Sequence, residues 1–561
     1  MEMIQRVNKK IMVWGTGNYG TKFMEEIMHL RKAIPEEKWY VLPEIVAFID
    51  SNRNTGEEFY EIPVYNPQDV DWDNPDITYV IAVLKNDDIY TVLREHISNN
   101  FDQRVLYIDQ ELSMIYDEIL SEYRRNPFPI MDDELGISLN IRSIFDMSNE
   151  AEDTIEQRNN LIREACRKYG AAEFLNALIH NKFSIQYLIK TFRGYEERRT
   201  NKIKTVALTC GMYSKGGAER VISNLLPILQ EKGYELVLIT GKKVENEYPI
   251  VPGVKRFAFV NDLSKPLEYF RELEKIIAEN NIDAVCIHIP FFGTQFNYMV
   301  MLFKLLGVYT IAVNHTSIPV FSGIFGDIRD CSQIYTLLDY LVVLSHHDEK
   351  QWKSIGINAV CITNPINMPP VESRSRRTEM RNNLLWVGRI SNSIKGVFSC
   401  VYIIEAIKKS MPDIQLKIIG YPETQKDLDE LRSLIIEHDV QDNIEICGYN
   451  SNPSEFYKKA DLMIMTSPGE GFPMVLVEAK AYGLPIVMYD LPYLYFVEDG
   501  RGLITVPQGD YNGLASEVTK ILLSDHEYNK LCDESLESYL DYISIDIGDK
   551  WKELFDSLEN E

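Results

Sequence analysis

Residues 467–487 read S-P-G-E-G-F-P-M-V-L-V-E-A-K-A-Y-G-L-P-I-V and set two carboxylates, Glu470 and Glu478, eight positions apart. The run before them, Asp461 to Met465, is short and apolar, the pattern of a buried parallel strand. A turn rich in Gly and Pro follows, and the segment from Pro473 to Tyr482 predicts a helix stopped at Gly483. A helix repeats every 3.6 residues, so a carboxylate in the loop and another two turns along can face one cleft. Backbone N–H groups from Gly469 to Phe472 point unpaired at whatever fills that cleft. Such a helix start suits a diphosphate, and carboxylates suit sugar hydroxyls, as a nucleotide-sugar pocket requires. The plainer reading makes Glu470 a solvated loop acid and Glu478 a helix-surface charge.

Outward from this stretch, strand-like and helix-like segments alternate in three blocks, each the signature of a parallel sheet flanked by helices. The first block predicts strands at Lys10–Trp14, Ile45–Asp50, Thr78–Val83 and Arg104–Ile108. The second predicts Thr205–Thr209, Leu236–Thr240, Ala284–His288, Thr310–Asn314 and Tyr340–Leu344. The third predicts Leu384–Val387, Leu416–Ile419, Ile444–Cys447, Leu462–Thr466, Ile486–Met488 and Leu503–Val506. A polar, helix-like stretch separates the first two blocks. The basic runs R-G-Y-E-E-R-R-T-N-K and E-S-R-S-R-R-T-E read as linkers, and Asp525–Glu561 reads as helix. A chain of 561 residues is too long for one core, and roughly three to four domains follow from length alone.

Four further motifs sit at predicted strand ends. In L-L-W-V-G-R-I-S-N-S-I-K-G, a strand ends at Val387, Gly388 permits a tight exit, and Arg389 and Lys395 follow. Two cations there can neutralise a leaving nucleoside diphosphate, and that contribution grows as the bond to it breaks. In S-K-G-G-A-E-R-V (214–221), Gly216 and Gly217 let the backbone approach a ligand at a helix start. His315, in A-V-N-H-T-S, lies just past a strand end, where open α/β sheets bind ligands. His288 and the pair His346–His347 are weaker candidates and stay outside the site. Lastly, I-M-V-W-G-T-G-N-Y-G carries Gly15, Gly17 and Gly20 in G-x-G-x-x-G spacing, with Asp50 ending the next strand, farther on than the usual ~20 residues.

These motifs resemble the retaining family-4 glycosyltransferases, whose GT-B fold sets two Rossmann-like domains face to face. The resemblance covers about residues 204–561. It implies that Glu470 binds the transferred sugar and that Glu478 accepts from the nucleotide ribose. Arg389 and Lys395 would clamp the diphosphate, and His315 would contact the donor sugar. Gly216, Gly217, Gly388, Gly448, Gly471 and Phe472 would bring backbone close to the donor, Gly448 near the base. Residues 1–115, with V-A-F-I-D-S-N and E-I-P-V-Y-N-P, look like the Rossmann-type front domain of bacterial sugar acetyltransferases. That block could hold a nucleotide or nucleotide sugar, hold a dinucleotide, or serve as a scaffold.

The expected architecture is therefore α/β. It comprises a Rossmann-like domain (1–115), a helical linker region (116–200), the two GT-B domains (201–370 and 371–525) and C-terminal helices (526–561) that cross back. The expected activity is metal-independent transfer of a sugar from a nucleoside-diphosphate sugar to an acceptor hydroxyl, with no cofactor required. The acceptor would be a glycan, a lipid-linked glycan or a glycoprotein, in polysaccharide or glycoconjugate assembly. The alternative is a non-catalytic GT-B subunit supporting a partner enzyme, which the intact Arg389, Lys395, Glu470 and Glu478 argue against.

Composition narrows the classes further. A formal charge of −26 excludes a general nucleic-acid binder, which needs a basic face. No His/Asp/Glu cluster reads as a metal site. The eight cysteines (Cys166, Cys210, Cys286, Cys331, Cys361, Cys400, Cys447, Cys532) show no C-x-x-C pair and read as reduced thiols. The first residues, M-E-M-I-Q-R-V-N-K-K, carry no apolar signal region, and the apolar stretch Tyr298–Val313 falls short of a membrane span. A cytoplasmic protein is expected, with peripheral association at the inner membrane face as a variant.

Overall fold

A computed structural model describes residues 9–72, 74–82, 87–97, 104–107, 110–112, 114–115, 118–119, 152–180, 185–195, 202–214, 216–258, 265–288, 294–325, 328, 332–366, 368, 370, 381–450 and 453–560. Val83, Ile108, Lys215, Cys331, most of 116–151 and the two basic linker runs, apart from Arg193–Tyr195 and Lys202, lie outside them. The chain divides into two compact units, residues 1–184 and 185–561.

The first unit holds a six-stranded sheet in the order β3-β4-β2-β1-β5-β6. Its strands are β1 (Lys10–Trp14), β2 (Glu44–Ile49), β3 (Glu58–Phe59), β4 (Ile62–Tyr65), β5 (Ile77–Ile81) and β6 (Val105–Tyr107). All pairs are parallel except β3 with β4. The helix Asn18–Ala33 covers one face, packing Phe23, Ile27 and Leu30 against Ile11, Val13 and Phe48. Trp14, Trp72 and Tyr79 fill the other face. Sequence pattern misses the β3–β4 hairpin for a stated reason. Its two-residue turn is Tyr60-Glu61, both at positive φ (51° and 61°), where hairpins ordinarily announce themselves with Asn-Gly. Among the described residues, helices Asp87–His96, Glu152–Tyr169 and Ala171–His180 also belong to this unit.

The second unit holds two parallel sheets. One has seven strands in the order β13-β12-β11-β10-β7-β8-β9. Its members are β7 (Thr205–Cys210), β8 (Glu235–Thr240), β9 (Lys255–Ala258), β10 (Ala284–Ile287), β11 (Tyr309–Val313), β12 (Tyr340–Val343) and β13 (Ala359–Cys361). Central β7 is buried along its whole length, as a strand covered on both faces must be. The edge strands β9 and β13 are absent from the sequence reading, since β9 (Lys-Arg-Phe-Ala) is nowhere fully buried and β13 has three residues, so neither gives the apolar run that marks four-residue strands such as β10 and β17. The other sheet runs β16-β15-β14-β17-β18-β19. It is formed by β14 (Asn383–Val387), β15 (Gln415–Ile419), β16 (Ile444–Gly448), β17 (Leu462–Met465), β18 (Ile486–Tyr489) and β19 (Leu503–Val506). In each sheet the chain winds outward from one central strand and then reverses. The switch points fall between β7 and β10 and between β14 and β17, where crevices open at the strands' carboxyl ends.

The expected C-terminal helices are Asp525–Ser544 and Ile547–Asn560. Ile545 takes an extended conformation (φ −73°, ψ 116°) and breaks the run. The first helix packs on the β14–β19 half, with Tyr528, Leu531, Tyr539 and Tyr542 in its cores. The second enters the other half, where Trp551, Leu554, Phe555 and Leu558 join Ile222, Leu226 and Leu236. Among the described residues, no helix is long and apolar enough to cross a membrane.

Candidate active site

Glu470 sits in the loop after β17, held on three sides. Ser317 Oγ, from the other half of the unit, donates to its carbonyl at 2.6 Å. Its amide donates to Tyr493 Oη at 3.3 Å. Its carboxylate accepts from Lys395 Nζ at 2.5 Å. Gly471 presses so closely on the other half that a Cβ would lie 2.0 Å from the His315 carbonyl oxygen. The Phe472 side chain turns away into the core, its ring 5.7 Å from Phe496 and 6.0 Å from Tyr542, so only its backbone is offered to a ligand.

Lys395 is placed by a short helix, Asn392–Lys395, closed by Gly396 at φ 62°. Thr466 latches it: the hydroxyl donates to the Lys395 carbonyl at 3.1 Å and accepts from Trp386 Nε1 at 3.0 Å. A Cβ on Gly396 would lie 2.2 Å from the Thr466 carbonyl oxygen, so the latch requires glycine. Arg389 leaves the end of β14, donates to Glu423 Oε2 at 2.7 Å and lies 5.6 Å from the Tyr421 ring centre. At the ends of three adjacent strands, Gly388, Gly420 and Gly448 meet, with Gly420 N donating to Gly448 O at 2.9 Å. Beside Gly448, the exposed rings of Tyr421 and Tyr449 stand edge to face, 6.1 Å apart.

Glu478, on the helix Met474–Ala481, is 3 % exposed. Both its oxygens are engaged. Tyr457 Oη donates to one at 2.6 Å, and Arg220, from the other half, forms an ion pair with the other. Arg220 belongs to the quoted S-K-G-G-A-E-R-V motif, in which the glycines drew the functional reading. There, Gly216 caps the helix Gly217–Glu231, and the Glu219 carboxylate folds back to within 2.3 Å of where a Gly216 Cβ would lie. The helix start thus already carries a negative group, whose carboxyl burial raises.

His315 is not alone: His288, left outside the site by the sequence reading, is its direct neighbour. His288, just past β10, sets Nδ1 3.0 Å from His315 Nε2, with the rings stacked 5.2 Å apart. Burial lowers the His315 pKa from 6.5 to about 4 and takes His288 well below its ordinary value, so both rings are neutral at pH 7. His288 Nε2 is buried without a partner. An orphaned acceptor costs less than an orphaned donor, so the favoured arrangement has His288 Nδ1–H donating. That tautomer puts the His315 proton on Nδ1. The spacing of 27 residues carried no local signal.

The remaining expectations fall outside this cleft. In the first unit Gly15 has φ 117°, and a Gly20 Cβ would meet the Gly15 carbonyl oxygen at 2.1 Å, the close helix–strand packing of a dinucleotide fingerprint. Asp50 does not stand free: it accepts from Thr16 Oγ1 at 2.5 Å and from Asn52 N at 2.8 Å. Burial works to raise the Asp50 carboxyl, but these bonds prevail and hold it below the usual range. The seven described cysteines are free thiols, four of them buried. The sequence reading found no metal cluster, whereas the fold gathers His346, Glu349 and Cys361.

Residues 371–536 match the family described as Glycosyl transferases group 1, and residues 215–368 match Glycosyltransferase Family 4. The two matches fall one on each half of the second unit, whose fold is GT-B. The glycosyltransferase AmsD of amylovoran biosynthesis in Erwinia amylovora is 25% identical over 365 residues, 63% of this chain and 99% of that protein. An uncharacterized glycosyltransferase of Haemophilus influenzae is 24% identical over 60% of this chain and 96% of its own. Sucrose-phosphate synthase from Thermosynechococcus elongatus shares the glycosyltransferase fold with a TM-score of 0.50 at 17% identity, covering 63% of this chain and 99% of its own. So does Anabaena HepE, solved with UDP and glucose, with a TM-score of 0.50 at 13% identity, over 63% of this chain and 100% of its own.

Proposed function

We propose that the second unit transfers a sugar, with retention, from a nucleoside-diphosphate sugar to an acceptor hydroxyl in polysaccharide or glycoconjugate assembly, without a metal ion. The observation that carries this reading is the Lys395–Glu470 ion pair at the β14/β17 switch point, with Arg389 at the end of β14 and Glu478 on the helix that follows the Glu470 loop. From the other half, Arg220 of the Gly216 helix reaches Glu478, and the His315 backbone meets Gly471. In this reading the diphosphate lies on the amides of Gly469, Gly471 and Phe472, between Lys395 and Arg389, the Glu470 amide being taken by Tyr493. Lysine has three N–H donors and arginine five, so each can keep its glutamate partner while binding phosphate oxygens. Their attraction strengthens as the leaving diphosphate gains charge, which lowers the barrier rather than merely holding substrate. Glu470 steadies the sugar hydroxyls, with the His315 Nδ1–H as a further donor. Glu478 uses its remaining lone pairs for the ribose. The relatives of amylovoran and O-antigen biosynthesis support a glycan or lipid-linked glycan as acceptor.

The test is nucleoside-diphosphate release by the purified chain, without added metal, across UDP-, GDP-, ADP- and dTDP-sugars, beside Glu470→Ala. Release of one diphosphate, lost in the variant and giving the anomer of the donor by NMR, is expected. Neither binding nor turnover of any donor would favour a non-catalytic subunit. On the same footing, Gly15, Gly17, Gly20 and Asp50 are assigned to an accessory nucleotide site. A second equivalent of bound nucleotide that survives Lys395→Ala is expected, and a single equivalent would remove that assignment.

A further inference from the structure

A second constellation lies where β12 and β13 end side by side. Val343 of β12 pairs with Cys361 of β13, and after Ser345 the chain enters the helix His346–Ser354. Ser345 caps that helix, accepting from Asp348 N at 3.1 Å, which fixes its first turn. His346 and Glu349, three positions apart, share the helix face that looks toward β13. His346 Nδ1 lies 3.1 Å from Glu349 Oε2, and the ligand atoms of His346, Glu349 and Cys361 all fall within 4.8 Å of one another. The described side-chain hydrogen bonds of the histidine and the glutamate run to each other and to Lys353, which donates to Glu349 Oε1 at 2.7 Å. None runs to the Glu470 cleft.

We propose that His346, Glu349 and Cys361 form a binding site for a divalent cation of the zinc class, with a water in the fourth position. The donor set is imidazole, carboxylate and thiol, the mixture that a borderline-soft tetrahedral ion selects and that magnesium or calcium does not. Bonds of about 2.0–2.3 Å in a tetrahedron place neighbouring ligand atoms about 3.5 Å apart. The three side chains therefore close by roughly an ångström around the ion, a rotamer adjustment rather than a backbone movement. Glu349 offers Oε2 while Lys353 keeps Oε1. Binding displaces the Cys361 proton, so the bond formed is metal–thiolate and the proton goes to solvent. Burial and the nearby charges of Glu349, Glu498 and Asp348 push the Cys361 thiol up to about 12, and the same negative surroundings attract a dication. The ion would fix the end of β13, from which the chain runs directly into the Thr363–Ile366 connection between the two halves. There Asn224 donates to Pro365 O at 3.0 Å and Tyr542 donates to Asn364 O. The site is thus a pin for that connection, separate from the transfer chemistry.

The test uses the intact protein, stripped with a chelator, desalted and titrated with Zn2+ against a chromogenic chelator, with Mg2+ as control. Cobalt substitution reads the thiolate directly through its charge-transfer absorption. One equivalent of Zn2+ is expected, with a thermal stabilisation that Mg2+ does not give. Cys361→Ser should abolish the cobalt–thiolate band and weaken zinc at least tenfold. His346 has a side chain 69% exposed, so His346→Ala should fold normally and also bind at least tenfold more weakly. Absence of stoichiometric binding by the unmodified protein overturns the site, as does zinc affinity unchanged in His346→Ala. Full affinity in a folded Cys361→Ser would show adventitious surface binding instead.

Discussion

Lys395 and Arg389 differ in how they are held, and that difference makes their removal informative. Lys395 is fixed through its backbone by Thr466 and through its ammonium by Glu470, whereas Arg389 is 41% exposed in its side chain and leans on Glu423. Loss of a charge-stabilising donor costs about 10²–10³ in turnover. Lys395→Ala and Arg389→Ala should each do so with an unchanged circular dichroism spectrum, and unchanged turnover in both would refute the diphosphate clamp. The histidine pair yields a pH dependence. Between pH 6.5 and about 4 the unfolded chain takes up a proton that folded His315 refuses, so stability rises with pH across that window and is lost as pH falls. The melting temperature of His315→Gln should therefore fall less steeply from pH 7 to 4.5 than that of the unaltered chain; identical slopes would mean that His315 is protonated when folded. The proposed donor-binding acids and cations could be singled out in the sequence because each motif lies within one strand–turn–helix stretch. Arg220 and Glu478 are 258 residues apart, and His288 and His315 come from successive strands, so these partnerships exist only once the sheets are assembled.

The loop after β17 shows how a single turn can set the distance between the two halves. Its Gly471 meets the backbone of His315 and Thr316, which belong to a strand end and cannot swing aside as a flexible side chain could. Gly471→Ala must push the Glu470 loop out of the cleft, breaking the Ser317–Glu470 bond while leaving both sheets intact. Turnover should fall by more than tenfold with little change in secondary structure, measured as diphosphate release and circular dichroism. Activity within twofold of the unaltered chain would mean that the halves close elsewhere. Buried central strands such as β7 and β17 were readable as apolar runs, and so was the helix bearing Glu478. The edge strands β9 and β13 were not, because their sides toward solvent need no apolar pattern. The β3–β4 hairpin hid behind a Tyr-Glu turn. Likewise the break at Ile545 follows from where the two helices must pack, since nothing in S-I-D-I marks a stop as Gly or Pro would.

The crossing C-terminal helix decides whether the second unit behaves as one folding body. Two kinds of contact tie Ile547–Asn560 to the β7–β13 half. Lys232 reaches Asp546 at 2.8 Å and Asp549 at 2.6 Å, pairs whose acids are more than half exposed. Such exposed pairs are screened by solvent and contribute little, so they do not hold the helix in place. Trp551, by contrast, is 2% exposed among Ile222, Leu226 and Tyr234. Truncating a buried Trp to Ala costs about 3–5 kcal/mol, through lost transfer energy and the cavity left behind. Trp551→Ala should therefore lower the denaturation midpoint markedly and Lys232→Ala hardly at all, read by urea unfolding followed by fluorescence and circular dichroism. The consequence extends to the far half, because the same C-terminal segment packs Tyr539 and Tyr542 against the core around Phe472 and Phe496. If the segment couples the halves, the Trp551→Ala transition should remain single and simply move to lower urea. A split into two transitions, one at the original midpoint, would show that each half folds on its own and that the crossing helix only docks.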